Sequence, residues 1–321
     1  MDRLKSNLLD ELMTLTEEEK EILEFKNNVM KDIYTSQTNF VIESEKFLSK
    51  DHMITLRKHT RFIDFPKHKH DYIEINYVYN GNFHQRIGNE EISLGKGEMV
   101  FLNQHIEHEI KACSEEDIII NFIIQPRFFE FIFSYLNSEN MVSDFLINSL
   151  YSSTQKGQYL YFQVAHIDNI QDLMKKIIDE MMRPTLLSDS SIKLYMGLFI
   201  IELIKNSDKI VKKHTYSMQH YLIVEVLKYI EENYRNATLY EVSDRLNQTH
   251  YSLSKAIKKA TSFTFKELLQ ERRLNKAKEF LENTTLPIAE IVDKVGYENI
   301  SYFYRIFKKR YHLTPKAYRD Q

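Results

Sequence analysis

The feature that most constrains this fold is an internal repeat in the last third of the chain. Residues 242–266 align with residues 292–316 at an offset of 50 positions. The matched pairs include Leu253 with Phe303, Lys255 with Arg305, Ile257 with Phe307, and Lys258-Lys259 with Lys308-Lys309. Self-similarity at a fixed offset indicates that one supersecondary unit is used twice. The chain is therefore expected to end in two copies of one small helical unit.

Each copy has the pattern of two short helices joined by a tight turn. In the first copy, Thr238 and Glu241 match a capping box, and Asn247-Gln248 supplies the turn. In the second copy, Pro287 suits a first helical turn, and Gly296 suits the left-handed residue that ends a helix. Two short helices with such a turn form a helix-turn-helix, whose second helix can enter a DNA major groove.

The second helix of each copy supplies the candidate DNA contacts. Apolar residues four apart, such as Phe303 and Phe307, place one face of each helix in the core. The outer faces carry the predicted base-contacting residues Tyr251, Ser254, Lys255, Ser301, Tyr304 and Arg305, and the predicted phosphate-contacting residues Lys258, Lys259, Lys308 and Lys309. Arg305 has the chemistry to bind O6 and N7 of guanine together. One long helix is predicted over 264–283, and it would space the two probes about one DNA turn, roughly 34 Å, apart.

Charge is distributed unevenly along the chain. The residues from Met218 to Gln321 include 18 Lys or Arg and 13 Asp or Glu, a net charge of +5. The whole chain carries −3, so the part before Met218 carries −8. This asymmetry is typical of a nucleic-acid-binding module joined to another kind of domain, although a solvated helical domain can have the same charge by chance.

The C-terminal motifs carry a family resemblance. The runs IAEIV at 288–292, GY at 296–297, SYFYRIFKK at 301–309 and LTPKAYR at 313–319 closely resemble the signature of the AraC/XylS regulators. The resemblance covers residues 218–321. Val292 departs from the usual alanine, and Ser262 and His312 replace the glycine that often follows each second helix. Membership would imply a sequence-specific transcription regulator, usually an activator, with double-stranded DNA and RNA polymerase as partners.

The front of the chain has the texture of β-strands between about Phe40 and Gln125. Short alternating or apolar runs, such as 73–79 and 118–124, are separated by turns that contain glycine. This pattern predicts a small β-barrel or sandwich.

A histidine cluster lies within these predicted strands. His68, His70 and Glu74 have the spacing of a first cupin motif, and His108 stands in a degraded second motif. Even-numbered residues from 68 to 76 share one face of an unbulged strand. The predicted effector pocket comprises His68, His70, Tyr72, Glu74, Asn76 and His108, with Tyr77 and Arg86 as further candidates.

Several interpretations of this cluster are open. In the preferred one, the side chains hydrogen-bond a small polar effector, expected to be a carbohydrate, and no metal or other cofactor is bound. In a second, His68, His70, Glu74 and His108 hold a divalent metal in a sensor pocket. In a third, the barrel is a metal-dependent cupin enzyme fused to a DNA-binding module. No evident base or nucleophile accompanies the cluster, so the chain is predicted not to be an enzyme. A regulator that binds DNA without any ligand is a further alternative.

The predicted fold class is α+β, with a cupin-like N-terminal β-barrel, flanking helices and a C-terminal all-α double helix-turn-helix domain. The predicted divisions are a helical N-terminal extension at 1–38, the effector-binding barrel at 39–126, a helical linking and dimerisation region at 127–206, a linker at 207–217, and the DNA-binding domain at 218–321. Helical periodicity from Ile167 to Lys205 fits either packing on the barrel or the seam of a homodimer.

Composition excludes several classes of protein. The single cysteine, Cys113, can form neither an internal disulfide nor a zinc site built on thiolates. No apolar run reaches 18 residues, so no membrane partner is expected. The N-terminus is charged where a signal peptide would be apolar. We therefore expect a cytoplasmic protein.

Overall fold

A computed structural model describes residues 8–25, 28–49, 52–134, 140–151, 157–211 and 218–320. Contacts divide the chain into two units, the first mainly within residues 8–211 and the second mainly within residues 218–320. The first unit combines sheets with helices and the second is helical, so the fold class is α+β, as predicted.

The first unit is built on two five-stranded sheets. Its strands are β1 (Val41–Ile42), β2 (Ile54–Lys58), β3 (Phe65–His70), β4 (Ile73–Asn80), β5 (Asn82–Ile87), β6 (Glu90–Gly95), β7 (Met99–Leu102), β8 (His108–Ile110), β9 (Ile118–Ile124) and β10 (Tyr159–Phe162). One sheet has the order β1-β3-β8-β5-β6 and the other has the order β10-β7-β4-β9-β2. One buried apolar cluster takes residues from both sheets, including Phe83 and Ile87 of β5 and Val100 of β7. The core therefore lies between the two sheets.

Two parts of the predicted helical regions are not helical. Tyr159–Phe162 falls in the region 127–206, but it forms β10 and pairs antiparallel with β7. All four of its residues are buried. They form the outermost strand of the second sheet, because β7 pairs with them along its outer edge. Likewise, residues 28–38, the end of the predicted helical extension, contain a single 3₁₀ turn, Lys31–Ile33, and no α-helix. At β10, non-local pairing outweighs local helix propensity.

The N-terminal helices α1 (Leu8–Met13) and α2 (Glu17–Phe25) are tied to the barrel by buried charges. A capping box begins α2, since Thr16 N donates to Glu19 Oε2 at 2.8 Å and Glu19 N donates to Thr16 Oγ1 at 3.2 Å. The same carboxylate accepts from Arg61 Nε at 2.7 Å, and neither side chain has any exposed surface.

Three further helices belong to the first unit: α3 (Met141–Tyr151), α4 (Asp168–Met182) and α5 (Ser188–Lys205). Helices α4 and α5 both bury an apolar face, which includes Ile177 of α4 and Phe199 of α5. The opposite side of α5 leaves Leu194 69% exposed and Leu198 52% exposed. Among the residues that the structure describes, no helix combines the length and apolar character needed to cross a bilayer.

The second unit consists of α6 (Met218–Asn233), α7 (Leu239–Arg245), α8 (His250–Thr261), α9 (Phe265–Asn283), α10 (Ile288–Lys294), α11 (Ile300–Tyr311) and α12 (Pro315–Arg319). These bounds confirm the two short-helix pairs and the long connecting helix. Asn247 and Gly296 occupy the turns with φ of +50° and +85°. A Cβ on Gly296 would lie 2.3 Å from the carbonyl oxygen of Arg235, so glycine is needed there.

Two details of these helix ends differ from prediction. Thr238 Oγ1 does cap Glu241 N, but the Glu241 carboxylate accepts from the Tyr229 hydroxyl at 2.7 Å instead of from Thr238 N. The same hydroxyl accepts from Thr238 N, so a tertiary contact replaces half of the local capping box. Pro287 lies one residue earlier than predicted, as the N-cap of α10.

Candidate functional site

The two second helices, α8 and α11, present equivalent surfaces. In both helices the apolar positions of the repeat, such as Leu253 and Phe303, are buried. The basic positions two and five residues after Leu253 and Phe303 are exposed. The exposed basic residues are Lys255, Lys258 and Lys259 on α8 and Arg305, Lys308 and Lys309 on α11. The 50-residue repeat is therefore a repeat of outer surface as well as of core.

The six predicted base-contacting residues differ in exposure. Tyr251 is 74% exposed, and Lys255, Ser301 and Arg305 are also exposed. Ser254 and Tyr304 are half-buried. The Tyr304 ring centroid lies 6.5 Å from that of Phe303, so Tyr304 also supports the core of its own helix pair. Base contact stays a prediction for all six residues.

The basic residues on these faces also differ in their ion pairs. Lys258 Nζ lies 3.7 Å from Glu267 Oε2, and both side chains are more than half exposed. Arg310 donates to both carboxylate oxygens of Glu271, which directs it into the domain. Within the described part of the chain, Arg305 has no ion pair, and its guanidinium carbon lies 5.3 Å from the centroid of the Tyr302 ring. Arg305 is thus the arginine of α11 that an external partner can reach.

The first unit brings three of the predicted pocket histidines into one buried group. His68 and His108 are register partners across β3 and β8, and their Nε2 atoms lie 2.7 Å apart. His70 lies two residues beyond His68 on the same face of β3. One ring nitrogen from each histidine lies within 4.8 Å of the others. Sequence spacing alone does not reveal that His108 lies beside His68. The antiparallel pairing of β3 with β8 brings it there.

Glu74, from β4 of the other sheet, completes the group. Its Oε2 atom lies 3.5 Å from His70 Nε2 and 3.9 Å from His108 Nε2. Burial raises the pKa of this carboxyl to about 7, against the opposing effects of a hydrogen bond from Asn76 and the charge of Arg57. Burial lowers the pKa of His68 to about 4 and that of His70 and His108 well below the ordinary value. The imidazoles are therefore neutral near pH 7, with lone pairs available.

A chain of buried amides leads away from this group. His108 Nδ1 lies 3.0 Å from Gln85 Oε1, and the Gln85 amide donates to Asn76 Oδ1 at 3.4 Å. Asn76 in turn donates to Asn121 Oδ1 at 3.0 Å, across the β4–β9 register. Asn76 is thus part of the polar interior, where it links the histidines to the second sheet.

A small cavity of about 20 Å³ adjoins the cluster. His68, Tyr72 and Glu74 line it, as predicted, together with residues that the sequence analysis did not single out: Tyr34, Arg57, His59 and Asn121. These come from three separate segments, with Arg57 and His59 in one of them, and share no motif, so only the folded sheets bring them together. The Tyr34 hydroxyl donates to Glu18 Oε1 at 2.7 Å, and Arg57 pairs with the same carboxylate.

Two further pocket candidates lie elsewhere. Arg86 is exposed and pairs with Glu91 and Glu109 on the outer face of its sheet. The Tyr77 hydroxyl donates to Gln171 at 2.7 Å, so it faces α4. Both predictions were wrong because residue type alone does not tell which face of a strand points inward.

Two models of known protein families match this chain. The family model described as an AraC-like ligand binding domain matches residues 52–123, and a helix-turn-helix domain model matches residues 242–321. The chain belongs to the AraC/XylS family. Both halves of the predicted AraC/XylS resemblance, the barrel and the double helix-turn-helix, are confirmed.

Named relatives share parts of this AraC/XylS chain. The xylose operon regulatory protein of Escherichia coli K12 is 33% identical over 99 residues, which cover 30% of this chain and 25% of that protein. The match thus spans about a quarter of that relative's length. The transcriptional activator RhaS of E. coli O1:K1 is 21% identical over 261 residues, which cover 80% of this chain and 88% of RhaS. A crystal structure of ToxT from Vibrio cholerae O395 aligns with a TM-score of 0.33 and 14% identity, covering 83% of this chain and 96% of ToxT.

Proposed function

We propose that this protein is a sequence-specific DNA-binding regulator of transcription that activates carbohydrate-utilisation genes in the cytoplasm. The observation that carries the proposal is the pair of helices α8 and α11, which expose the same basic face in two repeated units. Each face has the composition that a major-groove probe needs, with lysines for phosphates and a lysine or arginine for base edges. RNA polymerase is the proposed downstream partner.

The pocket of the first unit supports an effector-responsive mechanism. Its lining mixes aromatic rings, such as Tyr34 and Tyr72, with the hydrogen-bonding groups of Arg57 and Asn121. Such a lining suits a sugar, because rings pack on its apolar faces while polar groups bind its hydroxyls. The relative named as a xylose operon regulatory protein supports the same class of effector. Effector binding would shift the population between two states only if it binds one state more tightly.

DNA binding is tested with the full-length protein and a labelled duplex from the region upstream of its own gene. We expect tighter binding than to an unrelated duplex of equal length, measured by fluorescence anisotropy. We assume that four lysines each neutralise one phosphate: Lys258, Lys259, Lys308 and Lys309. A plot of the logarithm of the binding constant against the logarithm of the salt concentration then has a slope of roughly −4 from these contacts alone. Equal, salt-insensitive binding to both duplexes would contradict the proposal.

The effector is tested by thermal shift across a panel of sugars that includes xylose and rhamnose. A ligand at a hundredfold excess over its Kd stabilises the folded state by about 2.7 kcal/mol. Tyr72→Phe removes a hydroxyl at the pocket and should weaken the response, whereas Tyr77→Phe, which alters a hydroxyl facing α4, should retain it. A protein that binds DNA but responds to no sugar would be a regulator without a carbohydrate effector.

A further inference from the structure

Three buried polar atoms of the histidine cluster have no hydrogen-bond partner among the described residues. They are Nδ1 and Nε2 of His70 and Oε2 of Glu74. His70 is 1% exposed and Glu74 is 3% exposed. Burying such a group without a partner destabilises the folded state, and more so when the group is charged. Three such atoms in one place indicate that the cluster is arranged around a ligand.

The hydrogen bonds of His68 and His108 also indicate a ligand in the cluster. His68 Nδ1 lies 2.8 Å from the backbone oxygen of Pro66, which can only accept, so Nδ1 carries the proton. His108 Nδ1 faces Gln85 Oε1 at 3.0 Å and donates to it in the same manner. Both Nε2 atoms then present lone pairs to each other at 2.7 Å. Two facing lone pairs repel, and a cation coordinated by both nitrogens removes that repulsion.

We infer that His68, His70, Glu74 and His108 bind a divalent first-row transition metal ion inside the barrel. Three imidazoles and one carboxylate form a donor set that favours such ions over Mg²⁺ or Ca²⁺. The Nδ1–H bonds to Pro66 and Gln85 are the outer contacts that orient metal-binding histidines. This geometry favours a metal-binding pocket, the second interpretation of the histidine motif, over the preferred pocket without a metal.

The inferred ion would lie beside the effector pocket, because His68 and Glu74 belong to both groups. A ligand in the pocket with a carboxylate or paired hydroxyl oxygens would then reach the ion directly. This step rests on the proposed function, since it makes the metal part of what the regulator senses. The metal site itself depends only on the four side chains.

The site is tested on full-length protein that has been dialysed against a chelator and then equilibrated with Zn²⁺, Mn²⁺ or Ni²⁺ in turn. We expect about one equivalent of at least one ion per chain by elemental analysis, with a rise in Tm. His70→Ala and the nearly isosteric Glu74→Gln should lower the affinity at least tenfold. Gln85→Ala, which acts through His108, should lower it by about 10–100-fold. His105→Ala is the matched control, since His105 lies three residues from His108 but outside the cluster.

Circular dichroism of each variant separates loss of metal from loss of fold. A folded wild type that takes up none of the three ions overturns the inference. So does a folded His70→Ala variant that binds as tightly as the wild type. DNA binding of the metal-free protein is measured in parallel, because specific binding without metal uptake would leave the proposed function intact while removing the metal site.

Discussion

Among single residues, Glu19 has the most consequential environment for stability. Its carboxylate is fully buried and accepts hydrogen bonds from Arg61, Lys58 and Thr16. Desolvation alone would raise its pKa, but these bonds outweigh that effect and lower the pKa to about 2. A group whose pKa falls on folding stabilises the folded state only while it is ionised. Glu19 therefore fixes α2 to the barrel in a pH-dependent way.

We predict that Glu19→Gln lowers the free energy of unfolding by about 3 kcal/mol near pH 7, because Arg61 stays buried without its counter-charge. The wild-type advantage should be complete above about pH 4.5 and disappear as the pH falls toward 2. Urea unfolding at several pH values measures it. Glu17→Gln is the control, since Glu17 lies on the same helix with 86% exposure. Equal losses in the two variants would contradict this role.

The exposed residues of α11 have separable roles in DNA binding. We predict that Arg305→Ala costs about 1–3 kcal/mol at the specific site and relaxes the preference at one base pair. Lys308→Ala should weaken binding to all sequences alike and reduce the salt slope by about one. Competition with duplexes that carry single base changes measures both effects. Unchanged discrimination by Arg305→Ala would show that α11 enters the groove in another register.

At the scale of elements, the ends of α8 and α11 carry a conformational cost. Ser262 and His312 close these helices with φ of +62° and +63°, and each N–H donates back to a carbonyl one turn earlier. Glycine adopts this left-handed conformation without the steric cost that other residues incur. The two departures from the family signature thus keep the turn and accept a local penalty.

We predict that His312→Gly raises the free energy of unfolding by up to about 1 kcal/mol, because the left-handed conformation is already imposed there. Lys309→Gly, inside the same helix and also exposed, should instead lower it by about 1 kcal/mol. Thermal unfolding of both variants tests the pair. Destabilisation by His312→Gly would mean that the imidazole makes a contribution larger than the backbone penalty.

Elements whose signals are local were predictable, and those that depend on distant partners were not. Helices α7 to α11 follow from caps, turns and apolar spacing that lie within each segment. Strand β10 could not be predicted, because its state depends on β7, which lies more than fifty residues earlier. The motif named His68, His70 and Glu74, which do lie together, but the prediction that they share one strand was wrong, because β3 ends at His70 and Glu74 lies on β4 in the other sheet. Arg57 and Tyr34 reach the pocket only through tertiary folding.

At the scale of the whole molecule, helix α5 offers a surface for self-association. Leu194 and Leu198 are 69% and 52% exposed and lie four residues apart on one side of the helix, and Leu187, its N-cap, is 68% exposed. Leu186, next to this stripe, is 99% exposed. Apolar side chains exposed in one contiguous stripe mark an interaction site. We propose that this stripe is the seam of the predicted homodimer.

The final prediction joins this seam to DNA recognition. A dimer brings two double helix-turn-helix units to one duplex, so the second unit binds at a high effective concentration, which can raise the apparent affinity 10²–10⁴-fold. We predict that Leu194→Glu combined with Leu198→Glu yields a monomer, because apposed carboxylates cannot be buried unpaired. Sedimentation velocity measures the association state.

The same double variant should lose the avidity gain on a duplex with two half-sites and keep wild-type affinity for a single half-site. Lys193→Glu is the control, because it adds a negative charge to an exposed position of α5 outside the stripe. Loss of single-site binding would indicate misfolding instead of a broken interface. A double variant that stays dimeric would place the seam elsewhere, and the leucines of α5 would then need another partner.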